Sequence, residues 1–269
     1  MNLFNLFSDI EKVDAEANDR LQHSRRSLLK NTFKAAAIGT PALLAASMNK
    51  AFAQSNIIVD TLNFALTLEY LERDFYRAGL GAGIVPMMDR DGIITITKHE
   101  AQHVDFLNAA LGSAARPMPM KYDFTAGGAF PTVLSDYRTF LTVANALEDT
   151  GVRAYKGQAT NLMSNKDVLT AALRIHSVEA RHVAGIRRMR GIDYVYSSEN
   201  HPHGVPRAVY RGEDVFGQAG VDLLQVANDL IIPRAMPRVA EKLQVAFESF
   251  DEPLTREQVL AIAGPFLPM

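Results

Sequence analysis

Two short stretches constrain this chain more than anything else in it. "KHEAQHVDFL" (residues 98–107) contains Glu100-x-x-His103, and "SVEARHVAGI" (residues 177–186) contains Glu179-x-x-His182. When the motifs are superimposed at an offset of 79 residues, further positions fall into register. A glutamate stands 31 residues before each motif glutamate, at Glu69 and Glu148, and a tyrosine stands 7 residues after each of those, at Tyr76 and Tyr155. Ala65, Leu68 and Val104 align with Ala144, Leu147 and Val183. The pattern is that of a duplicated helix hairpin.

The chemistry follows from helix geometry. Residues three apart share one face, with Cβ atoms about 5–6 Å apart. A carboxylate and an imidazole so placed can bind the same metal ion. Two such hairpins facing each other supply four carboxylates and two imidazoles: one Glu from each of two helices and a Glu-x-x-His from each of the other two, the ligand pattern of di-metal carboxylate bundles. Oxygen-rich ligands with one nitrogen per ion suit redox-active iron or manganese, so two iron or manganese ions are the expected cofactors. Glu100 and Glu179 are expected to bridge the ions. Glu69 with His103, and Glu148 with His182, are expected as terminal ligands, with the ion each serves left open. Tyr76 and Tyr155, two turns from the terminal glutamates, are placed to hydrogen-bond across to ligand carboxylates. A lone Glu-x-x-His is ordinary on a helix surface; the weight lies in both motifs recurring with both upstream glutamates.

Several neighbours are assigned lesser roles. Glu72, one turn from Glu69, offers an alternative ligand, but an ion pair with Arg73 or another base is the plainer expectation. His176, three before Glu179, is expected to be an outer hydrogen-bonding partner or a surface residue. His99, adjacent to Glu100, is expected to point elsewhere. His201 and His203, flanking Pro202, are expected in a solvated loop.

The rest of the pattern is helical. "NIIVDTLNFALTLEYLERDFYRAGL" carries a helical apolar stripe, with Asp60 as a candidate cap and Gly79 as a candidate end. A second helix is expected from about Thr97 to Leu111, ending at Gly112. "SAARPMPMKYDFTAGGAFP" is long for a loop inside a compact domain, and a crossover from one end of a bundle to the other would account for it. Residues 132–163 and 165–190 read as the third and fourth helices, the last ending at Gly191. No period-two strand pattern stands out. The fold class is therefore all-α: an antiparallel four-helix bundle over 54–191 with one long crossover between helices 2 and 3, plus a C-terminal extension, 192–269. That extension has expected helices around Val221–Ile231 and Arg238–Phe250, and a short last one opened by the capping box Thr255-x-x-Gln258.

The front of the chain reads as an address. Arg25-Arg26, an apolar run of about a dozen residues, and Ala51-Phe52-Ala53 make a twin-arginine export signal, 1–53, with cleavage expected after Ala53. The run falls short of the roughly twenty residues that span a bilayer, so no stable membrane span is expected. This places the mature protein in the periplasm or otherwise outside the cytoplasm, with the twin-arginine machinery as a partner. That route carries folded proteins and suits a metal site loaded beforehand. Residues 1–53 hold 7 Lys or Arg against 5 Asp or Glu, so the mature chain is mildly acidic, which gives no sign of nucleic-acid binding. There are no cysteines in the 269 residues, which excludes disulfides, thiolate metal sites, iron–sulfur clusters and thiol nucleophiles.

"NFALTLEYLERDFY", "HEAQHVDFLNAALG", "ALEDTGVRAYKG", "VEARHVAGIRR" and "FDEPLTREQVLAIAGPF" give the chain a resemblance to the ferritin-like superfamily. More closely, it resembles the ferritin-like domain family that includes exported bacterial proteins and plant desiccation-related proteins. The resemblance implies a ferritin-like antiparallel four-helix bundle. It carries the metal-ligand role by position to Glu69, Glu100, His103, Glu148, Glu179 and His182. A tyrosine seven residues after the first glutamate is similar to one in bacterioferritins and rubrerythrins. Rubrerythrins also carry a Cys-rich module that this chain lacks. Cage-forming ferritins are shorter and have no such C-terminal extension, which argues against a storage shell.

Two functional readings follow. One is an exported di-iron or di-manganese oxidoreductase acting as oxidase, peroxidase or catalase on O2 or H2O2. The alternative is a non-catalytic metal-binding or stress- and desiccation-protective protein with a storage or vestigial site. A docking surface built from the C-terminal helices is a third, weaker reading. Association into a homo-oligomer stays open.

Overall fold

A computed structural model describes residues 56–119, 121–192, 204–213, 217–218, 221–229 and 251–267. The expected leader with Arg25, Arg26, Ala51 and Ala53, the pair His201 and His203, and the expected helix at 238–250 lie outside the described residues. Four long helices dominate: α1 (Asn56–Gly81), α2 (Met87–Leu111), α3 (Tyr137–Gln158) and α4 (Lys166–Arg190). Short helices α5 (Leu223–Asp229) and α6 (Arg256–Ala263) follow, with a two-residue antiparallel pairing of Gly217–Gln218 with Val221–Asp222.

The helix ends show why these segments stop where they do. Asp136 caps α3 by accepting from the Thr139 N–H at 2.8 Å. Asn165 caps α4 by accepting from the N–H groups of Asp167 and Val168, and Gly191 ends it in the left-handed conformation at φ 67°. The Thr255–Gln258 capping box opens α6.

Several expected boundaries need correction. α1 is already helical at Asn56, so Asp60 lies inside it. Gly79 is also interior: a Cβ there would sit 2.2 Å from Phe140 Cε2, so this glycine permits close helix packing rather than ending the helix. α2 starts at Met87, ten residues before the expected Thr97, because the buried Ile93 and Ile96 anchor its first turns in the core. The third helix is shorter than expected, with turns before Asp136 and a 3-10 turn after Gln158. In the extension, α5 begins at Leu223 because the Asp222 carboxylate accepts from the Leu224 N–H at 2.9 Å.

Strand direction has an analogue here in helix direction, and it can be read from side-chain pairs. Short turns make α1–α2 and α3–α4 antiparallel hairpins, and each pair packs extensively. Tyr76 reaches Glu148 while Tyr155 reaches Glu69, so α1 and α3 run antiparallel. His103 meets Glu179 and His182 meets Glu100, so α2 and α4 do as well. Helices α2 and α3 therefore run parallel, and residues 112–136 must cross the length of the bundle to join them. Buried Asn63 on α1 holds the start of that crossover through Ala114 O and Arg116 N.

Two apolar clusters lie along the bundle axis. One contains Ile93, Ile96, Phe75, Phe140 and Ile186; the other contains Val104, Leu107, Leu62, Val168 and Ile175. Between them sits a polar layer. The extension is fastened to α3 by Arg153, whose buried guanidinium donates to the carbonyls of Glu252, Val209 and Arg211 and pairs with Glu213 at 2.9 Å. Among the described residues, no helix is long and apolar enough to cross a membrane.

Candidate metal centre

Each long helix contributes to the polar layer in proportion to its motif. α1 supplies Glu69, α2 supplies Glu100 and His103, α3 supplies Glu148, and α4 supplies Glu179 and His182. All six are buried, and the four carboxylates are fully so. Their oxygens and nitrogens form two overlapping groups: Glu69, Glu100, His103 and Glu179, and Glu100, Glu148, Glu179 and His182, with ligand atoms in each group within 4.8 Å of one another. Glu100 and Glu179 are common to both. His103 Nδ1 lies 3.1 Å from Glu69 and Glu179 and 3.2 Å from Glu100. His182 Nδ1 lies 2.8 Å from Glu100, 3.3 Å from Glu148 and 3.4 Å from Glu179.

The directions of these atoms matter more than their proximity. Glu100 Oε1, Glu148 Oε2, both Glu179 oxygens and His182 Nδ1 are buried yet make no aligned hydrogen bond. Lone pairs that crowd together without pointing at a proton converge on a common space instead. Burying carboxylates costs on the order of several kcal/mol each unless they are paired, so this layer calls for positive charge. The donor set fits two divalent cations of the iron or manganese kind.

Without metal, protons supply that charge. Burial pushes Glu69 up to about 8, and burial with neighbouring carboxylates raises Glu148 well above its ordinary value. Burial opposes charge on the imidazoles, but Glu148, Glu100 and Glu179 outweigh it and lift His182 to about 12. Glu69, Glu100 and Glu179 raise His103 in the same way. Burial disfavours charge on Glu100 and Glu179 too, yet the two imidazoles hold both below the usual carboxylate range.

The tyrosines cross between the repeats. Tyr76 OH on α1 donates to Glu148 Oε1 on α3, and Tyr155 OH on α3 donates to Glu69 Oε1 on α1, each at 2.5 Å. Three other expectations are corrected. His176 is not part of the layer: the antiparallel register sets it opposite Val152, one turn beyond Glu148, and its Nδ1 meets the Val152 carbonyl at 2.9 Å. Glu72 does not pair with Arg73, whose guanidinium turns to Asp74 at 2.8 Å. Glu72 is instead buried in the layer, where burial and then Glu179, Glu148, Glu100 and Glu69 push its pKa well up. Its repeat partner is Gly151, where a Cβ would lie only 3.2 Å from Glu72 Oε1, so the missing side chain makes the room.

His99 was expected to point away and does not. Its Nδ1 lies 2.9 Å from His182 Nε2, and the rings stack with centroids 5.2 Å apart. A signal for this existed: His99 is four residues before His103 and so shares its helix face. Burial and the neighbouring His182 hold its pKa below the ordinary value.

Comparison with known protein families matches residues 58–191 to the ferritin-like domain, a span that holds every residue of the polar layer. A search of curated proteins finds no match to the chain.

Proposed function

Because residues 58–191 form a ferritin-like domain and the chain thereby belongs to the ferritin-like superfamily, we propose that it binds two iron or manganese ions and uses them on O2 or H2O2. The observation that carries this reading is the set of buried, hydrogen-bond-orphaned carboxylate and imidazole atoms aimed at one space. Glu100 and Glu179 would bridge, with Glu69 and His103 at one end and Glu148 and His182 at the other. Bound there, the ions supply redox change and Lewis acidity.

The chain's own residues do the rest. Four carboxylates offset the charge of two divalent ions. Tyr76 and Tyr155 fix the rotamers of Glu148 and Glu69. The apolar clusters above and below exclude bulk water. Disproportionation of H2O2 to water and O2 suits a chain without cysteines best, since it requires no outside reductant. Export by the twin-arginine signal, read from Arg25, Arg26, Ala51 and Ala53, belongs to the same proposal.

The test is metal analysis of the purified mature chain by plasma emission, followed by peroxide-consumption and ferrous-oxidation assays. The proposal expects two ions per chain and turnover that disappears in Glu100→Ala and His182→Ala. Two ions without turnover would instead favour a metal-holding protective protein, and a well-folded chain that takes up no metal would mark the site as vestigial.

A further inference from the structure

The repeat that builds the centre is broken at its walls. An open pocket of about 660 Å³ lies between α2 and α4, lined by His99, His182, Arg181, Thr95, Gly92 and Gly185 among others. Moving 79 residues along the repeat exchanges Gly92 for Ala171 and Gly185 for Phe106. Ala171 and Phe106 line a cavity of only about 10 Å³, closed by apolar side chains, and His103 is not among its lining residues. The ligand histidines differ accordingly. The outer nitrogen of His182 meets His99 on the pocket wall, whereas the repeat partner of His99 is Val178, which has no hydrogen-bonding side chain.

From this asymmetry we infer that the centre is approached from one side only. Small polar ligands of the size of peroxide or a triatomic anion dock in the pocket over His99 and His182, on the wall where the repeat places Gly185 in the position of Phe106. The absence of a side chain at Gly185 makes the opening, whereas the Met189 methyl already fills the Cβ direction of Gly92. Arg181 provides positive potential beside the single carboxylate of Asp91, and the neutral His99 ring offers a hydrogen-bonding nitrogen, a lining that suits a small polar ligand such as peroxide or azide. The inference deepens the di-metal reading and rests on it.

The geometry also provides a clean probe. A Cβ at Gly185 meets nothing within 4 Å, so Gly185→Phe can fill the pocket with its repeat partner's side chain without a backbone clash. Thr95, exposed on the opposite wall, allows a second plug, Thr95→Phe. The full chain is loaded anaerobically with Co(II), its cobalt content is measured, and azide is titrated while the cobalt absorption bands are followed. Wild type is expected to hold two Co(II) and to show a saturable azide-dependent change. Both plugged variants are expected to hold two Co(II), melt as wild type does and lose that change. An unaltered azide response in either folded, loaded variant overturns one-sided access, as does a loaded wild type that does not respond to azide. Wild type that takes up no Co(II), iron or manganese overturns the metal-centre reading itself, which metal content alone reports.

Discussion

Loading the centre with metal is expected to expel about four protons per chain at pH 7, because every ligand must be deprotonated to bind. The count comes from the buried layer. His182, lifted to about 12, and His103, raised by the surrounding carboxylates, each carry an extra proton. Burial raises Glu148 well above its ordinary value and so favours its protonated form, and Glu69, at about 8, is roughly nine-tenths protonated at pH 7. Glu100 and Glu179 are held below the usual range and have none to give. Two imidazolium charges thus balance two carboxylates before loading, and two divalent ions balance four carboxylates afterwards. The sign follows: protons compete with metal, so the product of the two binding constants rises about 10⁴-fold per pH unit near neutrality. The slope eases above pH 8, where Glu69 has already ionised. Titration of the metal-free chain with Co(II) or Mn(II) in a pH-stat measures the release directly. Release of one proton or fewer, with two ions bound, would refute this account of how the layer is neutralised.

Three further outcomes follow from the same geometry. Glu100→Gln or Glu179→Gln should remove both ions, because both groups of ligand atoms share these residues, whereas Glu69→Gln or Glu148→Gln should remove one; metal per chain by plasma emission distinguishes the two results. Metal-free protein should be most stable near pH 5 and melt at progressively lower temperature as pH rises. The folded chain holds protons on Glu69, up to about 8, and on His182, up to about 12, that the unfolded chain has lost above 4.5 and 6.5. Below about 4.5 the contribution of Glu100 and Glu179 is lost instead, so thermal melts across pH should show a maximum, and bound metal should move it to higher pH. Arg153→Met should cost about 3–5 kcal/mol in urea unfolding, since it removes a buried guanidinium that pairs with Glu213 and donates to the carbonyls of Val209, Arg211 and Glu252, and it should expose residues 204–213 to limited proteolysis.

The carboxylates and imidazoles of the buried layer were legible because duplication wrote them twice. Register, and not any single motif, separated Glu69 from Glu72 and singled out the two tyrosines. The start of α2 was hidden for a physical reason: "GIITIT" combines glycine with β-branched residues of low helix propensity, and burial of Ile93 and Ile96 overrides that preference. Gly79 was misread because a glycine near a helix end signals termination, while here it admits the Phe140 ring. His99 follows a different rule: its adjacency to Glu100 suggests that it turns away, whereas its spacing of four from His103 sets it on the same helix face. The unequal walls lay in the same alignment, at Gly185 against Phe106, but a glycine says nothing about an opening until the opposing helix is in place.

The exchanged phenol bonds have a consequence for how such a molecule can be built. Tyr76 serves Glu148 and Tyr155 serves Glu69, so neither copy of the hairpin completes its own set of interactions. A chain consisting of one copy would find the missing hydroxyl only on a twin, turned half a circle about an axis through the layer. Fusing two copies makes that pairing independent of concentration, and it lets each half change alone. Gly151 opposite Glu72 and Phe106 opposite Gly185 are changes that a self-paired single hairpin would have been forced to make on both sides at once.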